Sequence, residues 1–245
     1  MHSPFPPPIP PEMLLLAYQS GIFPMSDRRD DPEVFWVEPR ERAIIPLDGF
    51  RLSKSLRKAV RQDRFQVTFN RDFAAVMEAC AAPRPDHPES WISDRIIASY
   101  RQLHAHGSAH SIECWLSDDP AQPPKLVGGL YGVAFDRVFC GESMFSLADN
   151  ASKVALVWLI ALLRHAGYEL LDCQFMTDHL ASLGAIEIPQ AEYLKLLGEA
   201  RKAPPRHNLN QAFRAMTETG DHSSRHSSRH SSPGKAIAQS LTQTS

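Results

Sequence analysis

The sequence predicts an α+β fold, a mixed sheet with helices on its faces, and two observations carry that expectation. Residues 109–146 alternate apolar and polar side chains in three successive runs, the pattern of an antiparallel meander. Residues 151–202 then read as helix, strand, helix, strand, helix, which lays helices against the same sheet. At 245 residues, 43% hydrophobic and 22% charged, the chain is long and apolar enough for a sizeable core.

From the start of the chain, the proline-rich "MHSPFPPPIPPE" reads as a flexible leader over 1–11. Glu12 to Gln19 follows as a short helix started by Pro10 and Pro11 and stopped at Gly21. Residues 21–40 look irregular, with one short strand. Asn70 is a plausible N-cap for "RDFAAVMEACA", and Ser93 for "DRIIASYRQLHAH", which Gly107 closes. The strands "AHSIECWL", "KLVGGLYGVAF" and "RVFCGESMFS" come next, the last two joined tightly at Asp136. Asp149 or Asn150 caps the strongly apolar helix "ASKVALVWLIALLRHA", ended by Gly167. Then follow the strand "LLDCQF", the short helix "TDHLASL", the strand "AIEI" and a helix from Gln190 to about Lys202. Beyond it, "DHSSRHSSRHSS" repeats a Ser/Arg/His unit with no apolar residue to offset the entropy of ordering, so 206–245 reads as a disordered tail.

Composition narrows the function classes. A net charge of -2 gives no global attraction to nucleic acid, so such binding requires a local patch. The apolar run "MLLLAY" is too short to span a bilayer, and no secretion or membrane segment is visible. Cys80, Cys114, Cys140 and Cys173 are far apart, without a C-x-x-C pair, and read as reduced thiols in the cytosol. His104, His106 and His110 lack zinc-enzyme spacing, and Gly107 breaks the helix between them.

Three stretches could carry chemistry. In "LLDCQF", alternation puts Asp172 and Gln174 on one face of a largely apolar strand, where a carboxylate needs a partner: a structural hydrogen bond or a reactive site. In "FCGESMFS", Glu142 stands beside Met144 and Phe145. A carboxylate above an apolar wall suits the ammonium and side chain of a hydrophobic amino acid, and equally a structural ion pair. In "RLSKSLRKAVRQDR", Lys54, Arg57, Lys58 and Arg61 fall at i, i+3, i+4 and i+7 of a helix, one positive stripe that is either a solvated face or a phosphate contact. The glycines of "KLVGGLYGVAF" lie inside a strand pattern, which suggests a bulge or a close backbone approach by a ligand.

Taken in order, "LLLAYQSGIFPM", "SWISDRIIASYRQLHAHGSAHSIECW", "LVGGLYGVAFDRVFCGESMFS", "NASKVAL", "LLDCQF" and "HLASLGAIEIP" resemble the leucyl/phenylalanyl-tRNA-protein transferase family from about Met13 to Leu197. The resemblance implies a small N-terminal domain, here 12–48, and a C-terminal transferase domain of the acetyltransferase-like (GNAT) type, here 49–205, working without coenzyme A or metal. It implies transfer of Leu or Phe, and also Met, from aminoacyl-tRNA to the α-amine of proteins beginning with Arg or Lys, in the bacterial N-end rule, by a cytoplasmic monomer. A relative that leucylates acidic N-termini, or a non-catalytic tRNA-binding module, are the alternatives.

Residue by residue, the same resemblance assigns Asp172 and Gln174 to the reacting centre. Glu142, Met144, Phe145 and Ser146 match the pocket motif, and Leu130, Trp91, Tyr100 and Tyr18 fall at aminoacyl-pocket positions. Lys54, Arg57, Lys58 and Arg61 are the expected tRNA contacts. Two positions depart from the family pattern: Met25 stands where Trp is common, and Leu130 where methionine is more common.

Overall fold

A computed structural model describes residues 6–83, 89–117, 119, 121–218 and 232–242. The N-terminal part holds α1 (Pro11–Gln19) and a two-stranded ribbon of β1 (Phe23–Met25) and β2 (Phe35–Val37). The rest is built on β3 (Glu41–Ile44), α2 (Lys54–Arg61), β4 (Gln66–Phe69), α3 (Phe73–Ala81), α4 (Asp94–Ala105), β5 (Ala109–Leu116), β6 (Lys125–Phe135) and β7 (Val138–Ser146). It continues through α5 (Ala151–Ala166), β8 (Leu170–Gln174), α6 (Asp178–Ser182), β9 (Ile186–Pro189), α7 (Gln190–Ala200), α8 (Leu209–Glu218) and α9 (Pro233–Ser240). Seven strands form one sheet in the order β4-β5-β6-β7-β8-β3-β9, antiparallel except for the parallel pair β7-β8. The α+β class, with a small N-terminal part and a mixed sheet flanked by helices, is as the sequence implied.

Apolar residues on both sheet faces explain the layers. α5 is apolar around nearly its whole circumference, so it is buried on one face among β5, β6, β7, α2 and α8. The opposite face packs against α1, α3, α4 and α7 through Tyr18, Val76, Ile96, Tyr100 and Tyr193. Gly128 lets α5 come down on β6, because a Cβ there would lie 2.4 Å from the Ala151 Cβ. At this glycine the close approach is by a helix of the chain itself and not by the ligand the sequence suggested.

Several local expectations need correction. Asp72, not Asn70, caps α3, its Oδ1 accepting from Ala75 N at 2.9 Å. Asn70 instead ends β4 in the left-handed region at φ 58, a conformation its short side chain tolerates, and accepts from Ser111 N. Asn150 precedes α5 at φ 69 without capping it; Ser146 Oγ accepts from Ser152 N instead. The leader is pinned where it is described: Ile9 is buried and its N–H donates to Ser99 Oγ at 2.8 Å. β3, within the expected N-terminal segment 12–48, pairs with β8 and β9 inside the central sheet.

The expectation of a disordered 206–245 is overturned where the chain is described. In α8, Leu209 and Ala212 are buried against α5, and Phe213 stacks on Phe69 and packs on Trp158. In α9, Ile237 and Ala238 are buried, and Gly234 N donates to Asp63 Oδ1. The Ser/Arg/His repeat of residues 221–231 lies outside the described residues. No helix among the described residues is long and apolar enough to cross a membrane.

Candidate active site

The site arises from a fault in the sheet. β7 and β8 pair only as far as Cys140 with Asp172. In the β6-β7 ladder, Tyr131 faces Ser143 and Gly132 faces Gly141, so Glu142 is the extra residue of a β-bulge. A bulge re-aims the residue it carries and bends the strand. β8 ends at Gln174, which adopts φ 65, unusual for a residue with a side chain. The two strands therefore diverge, and the gap opens into a cavity of about 610 Å³.

Across that gap, Gln174 Nε2 donates to Glu142 Oε1 at 2.9 Å. Only the amide nitrogen can donate to a carboxylate, so Glu142 fixes which way the amide points. The Gln174 oxygen has no partner among the described residues. Glu142 Oε2 accepts from Tyr100 OH at 3.1 Å, and Tyr100 OH is hydrogen-bonded to Tyr18 OH. Burial pushes the Glu142 carboxyl up to about 7, against the opposing hydrogen bonds from Tyr18 and Gln174; the charge of Asp172 adds to the rise, and the Tyr100 hydrogen bond opposes it.

Asp172, expected at the reacting centre beside Gln174, does not reach the cavity. It is fully buried, and its two oxygens are occupied by Arg42, through Nε to Oδ1 at 2.9 Å and Nη2 to Oδ2 at 2.6 Å, by Tyr193 OH and by the Gln174 N–H. Arg42 is in turn held between the rings of Phe23 and Tyr193 and donates to Gly21 O. Desolvation alone would lower its pKa, but Asp172 holds it above the ordinary value. Asp172 thus positions Gln174 by gripping its main chain at the strained φ.

The other expected pocket residues divide in two groups. Leu130, Met144, Phe145, Ser146 and Trp91 line the cavity, together with Met25, where the family commonly has Trp. Tyr18 and Tyr100 do not: they are fully buried behind Glu142, and their hydroxyls are spent on it and on each other. Sequence reading missed the α5 and α6 side of the wall, Leu156, Leu159 and Leu180, although their apolar periodicity was visible. It also missed Arg42. Lys54, Arg57, Lys58 and Arg61 all lie exposed on α2, with no ion pair among the described residues, so the one-sided positive stripe is real. They do not line the cavity.

Comparison with known proteins identifies the family. The sequence profile described as leucyl/phenylalanyl-tRNA protein transferase matches residues 44–198, and the profile of its N-terminal domain matches 8–40. The chain belongs to the leucyl/phenylalanyl-tRNA-protein transferase family. It is 55% identical to the leucyl/phenylalanyl-tRNA–protein transferase of Novosphingobium aromaticivorans, with 97% of each chain covered. It is 58% identical to that of Zymomonas mobilis, over 78% of this chain and 69% of the relative. Among solved structures, L-PGS from Bacillus licheniformis is similar at TM-score 0.36 and 14% identity, over 70% of this chain and 55% of that one. Membership makes the chain an aminoacyltransferase, with aminoacyl-tRNA as donor and a protein as acceptor.

Proposed function

We propose that this chain moves Leu or Phe, and also Met, from aminoacyl-tRNA to the α-amine of proteins beginning with Arg or Lys, as a cytoplasmic monomer in N-end rule degradation. The observation that supports this best is the Gln174–Glu142 hydrogen bond across the opened seam, at the edge of a cavity walled by Leu130, Met144, Leu156, Leu159 and Leu171. An apolar cavity with a few convergent polar groups suits a hydrophobic aminoacyl group.

The chemistry asks little of a base. An aminoacyl ester is already activated, and an α-amine with an ordinary pKa of about 7.7 to 8.0 is partly neutral at cellular pH. What remains is to orient the amine against the ester carbonyl and to stabilise the developing oxyanion. Gln174, its amide fixed by Glu142, offers its oxygen to an N–H of the attacking amine. Glu142, partly ionised near neutrality, offers charge to the donor's ammonium. The exposed cations of α2 are the proposed contacts for tRNA phosphates.

The decisive test supplies Leu-tRNA or Phe-tRNA with labelled amino acid and compares acceptors. Label should enter a protein beginning with Arg or Lys and not one beginning with Ala. Transfer confined to Asp- or Glu-initiated acceptors would make the chain a leucyltransferase for acidic N-termini. Tight tRNA binding without transfer to any acceptor would make it a binding module.

A further inference from the structure

Beside the aminoacyl cavity, at the N-terminus of α5, lies a second and more polar cavity of about 490 Å³ that shares Ser146, Ser152 and His179 with the first. Ser146 Oγ donates to Ala148 O and accepts from Ser152 N, but three other polar groups here have no partner among the described residues. Ser152 is 7% exposed, and its Oγ bonds no group among the described residues. His179 Nε2 is buried and bonds nothing among them either. Lys153 projects from the same first turn with no carboxylate at ion-pair distance among the described residues. Asp149 also lines this cavity but is exposed at its rim.

We infer that this cavity is a phosphate site for the last nucleotide of the donor tRNA, a reading that rests on the proposed aminoacyl-tRNA donor. A buried polar atom left unpaired is costly unless something fills its place, and His179 Nε2 is such an atom. The set here is one hydroxyl, one imidazole nitrogen and one ammonium, at the positive end of a helix of 16 residues whose Ala151 and Ser152 N–H groups are already taken by Ala148 O and Ser146 Oγ, so these side chains are what a ligand would meet. Burial and the neighbouring Lys153 both hold His179 toward its neutral form, so of these three groups the Lys153 ammonium alone brings charge. A phosphodiester supplies the charge and the acceptor oxygens together. Position favours the same ligand: an aminoacyl group in the first cavity is linked through one ribose to the phosphate that precedes it, and the two cavities meet at Ser146, Ser152 and His179.

The test compares two minimal donors, 3′-O-phenylalanyl adenosine with and without a 5′-phosphate. In the unmodified enzyme the phosphorylated donor should have a KM lower by about tenfold. Lys153→Met should erase that difference and leave the unphosphorylated donor as it was. Equal use of both donors by the unmodified enzyme, or an equal loss on both in the variant, would overturn the site. Inorganic phosphate provides an arm that needs no transfer: the His179 imidazole resonances should move on titration in the unmodified protein and stay still in Lys153→Met. Absence of all transfer together with that movement would defeat the transferase reading and keep the phosphate site; no movement would defeat the site.

Discussion

Arg42 and Asp172, separated by most of the chain, meet as a two-pronged ion pair with almost no solvent on either side chain. Two parallel charge-assisted hydrogen bonds hold the carboxylate in one plane, and one of its oxygens then receives the Gln174 N–H. The N-terminal part joins the same network through Gly21 and Phe23.

Breaking this pair from one side should be severe. Arg42→Met leaves a buried carboxylate uncompensated, a loss of about 3 to 5 kcal/mol that denaturant titration would record. Replacing both partners, Arg42→Met with Asp172→Leu, should recover much of that stability, because buried pairs exchanged for apolar residues are often near neutral. Turnover should stay low in the double variant, since nothing then holds the Gln174 main chain. A double variant that is both stable and fully active would reduce Asp172 to a fold element.

Glu142 should make stability fall as pH rises. Its carboxyl titrates at about 7 in the folded chain against an ordinary 4.5, so the folded state binds the proton more tightly. Between those values the native state carries more protons than the unfolded one, and stability declines with increasing pH, by at most about 3 kcal/mol once pH 7 is passed. Glu142→Gln cannot ionise. Its melting temperature relative to the parent should therefore rise from pH 5 to pH 8, while transfer from Leu- and Phe-tRNA slows without a change of order. A stability difference that ignores pH would mean that the carboxyl is not held in this way.

The positive stripe on α2 should be visible in salt. Neutralising Lys54 and Arg57 should weaken tRNA binding and flatten the plot of log affinity against log salt by roughly one unit per lost phosphate contact. The slope is the diagnostic quantity, since a fold defect would lower affinity and leave it unchanged. If the slope is the same after both substitutions, the stripe is a solvated face.

What could be read in advance was local. "AHSIECWL", "KLVGGLYGVAF" and the apolar α5 declare themselves by period alone, and their bounds agree with the strands and helix observed. Glu142 and Gln174 stood out as polar residues in apolar strands, and the fold brings them together across the seam. Arg42 was not legible, because an arginine in a polar stretch announces no partner 130 residues away. Tyr18 and Tyr100 were placed in the wall instead of behind it, since one sequence does not tell a residue that touches a ligand from one that supports it. β4 went unseen because Gln66–Phe69 is too short to show a period. α8 should have been seen: Leu209, Ala212, Phe213 and Met216 stand at i, i+3, i+4 and i+7, a helical stripe overlooked beside the Ser/Arg/His repeat.

The C-terminal helices should therefore count in stability and not in chemistry. Leu209 is buried where α8 meets α5, and Leu209→Ala should cost roughly 2 to 5 kcal/mol, in the range for large-to-small substitutions in a core. In α9 the contact is tighter. Gly234 lies against the main chain of α2, where an added Cβ would stand 2.0 Å from the Val60 carbonyl oxygen, and its N–H is committed to Asp63. A backbone atom cannot swing aside as a side chain can, so Gly234→Ala should push α9 off α2. Limited proteolysis would show this as a new early cut at Lys235, within α9, and the melting temperature should fall. Transfer below that temperature should persist, because no residue of α8 or α9 lines the proposed aminoacyl cavity. A Gly234→Ala protein that melts and cleaves like the parent would mean that the last turn of α2 gives way to let α9 stay.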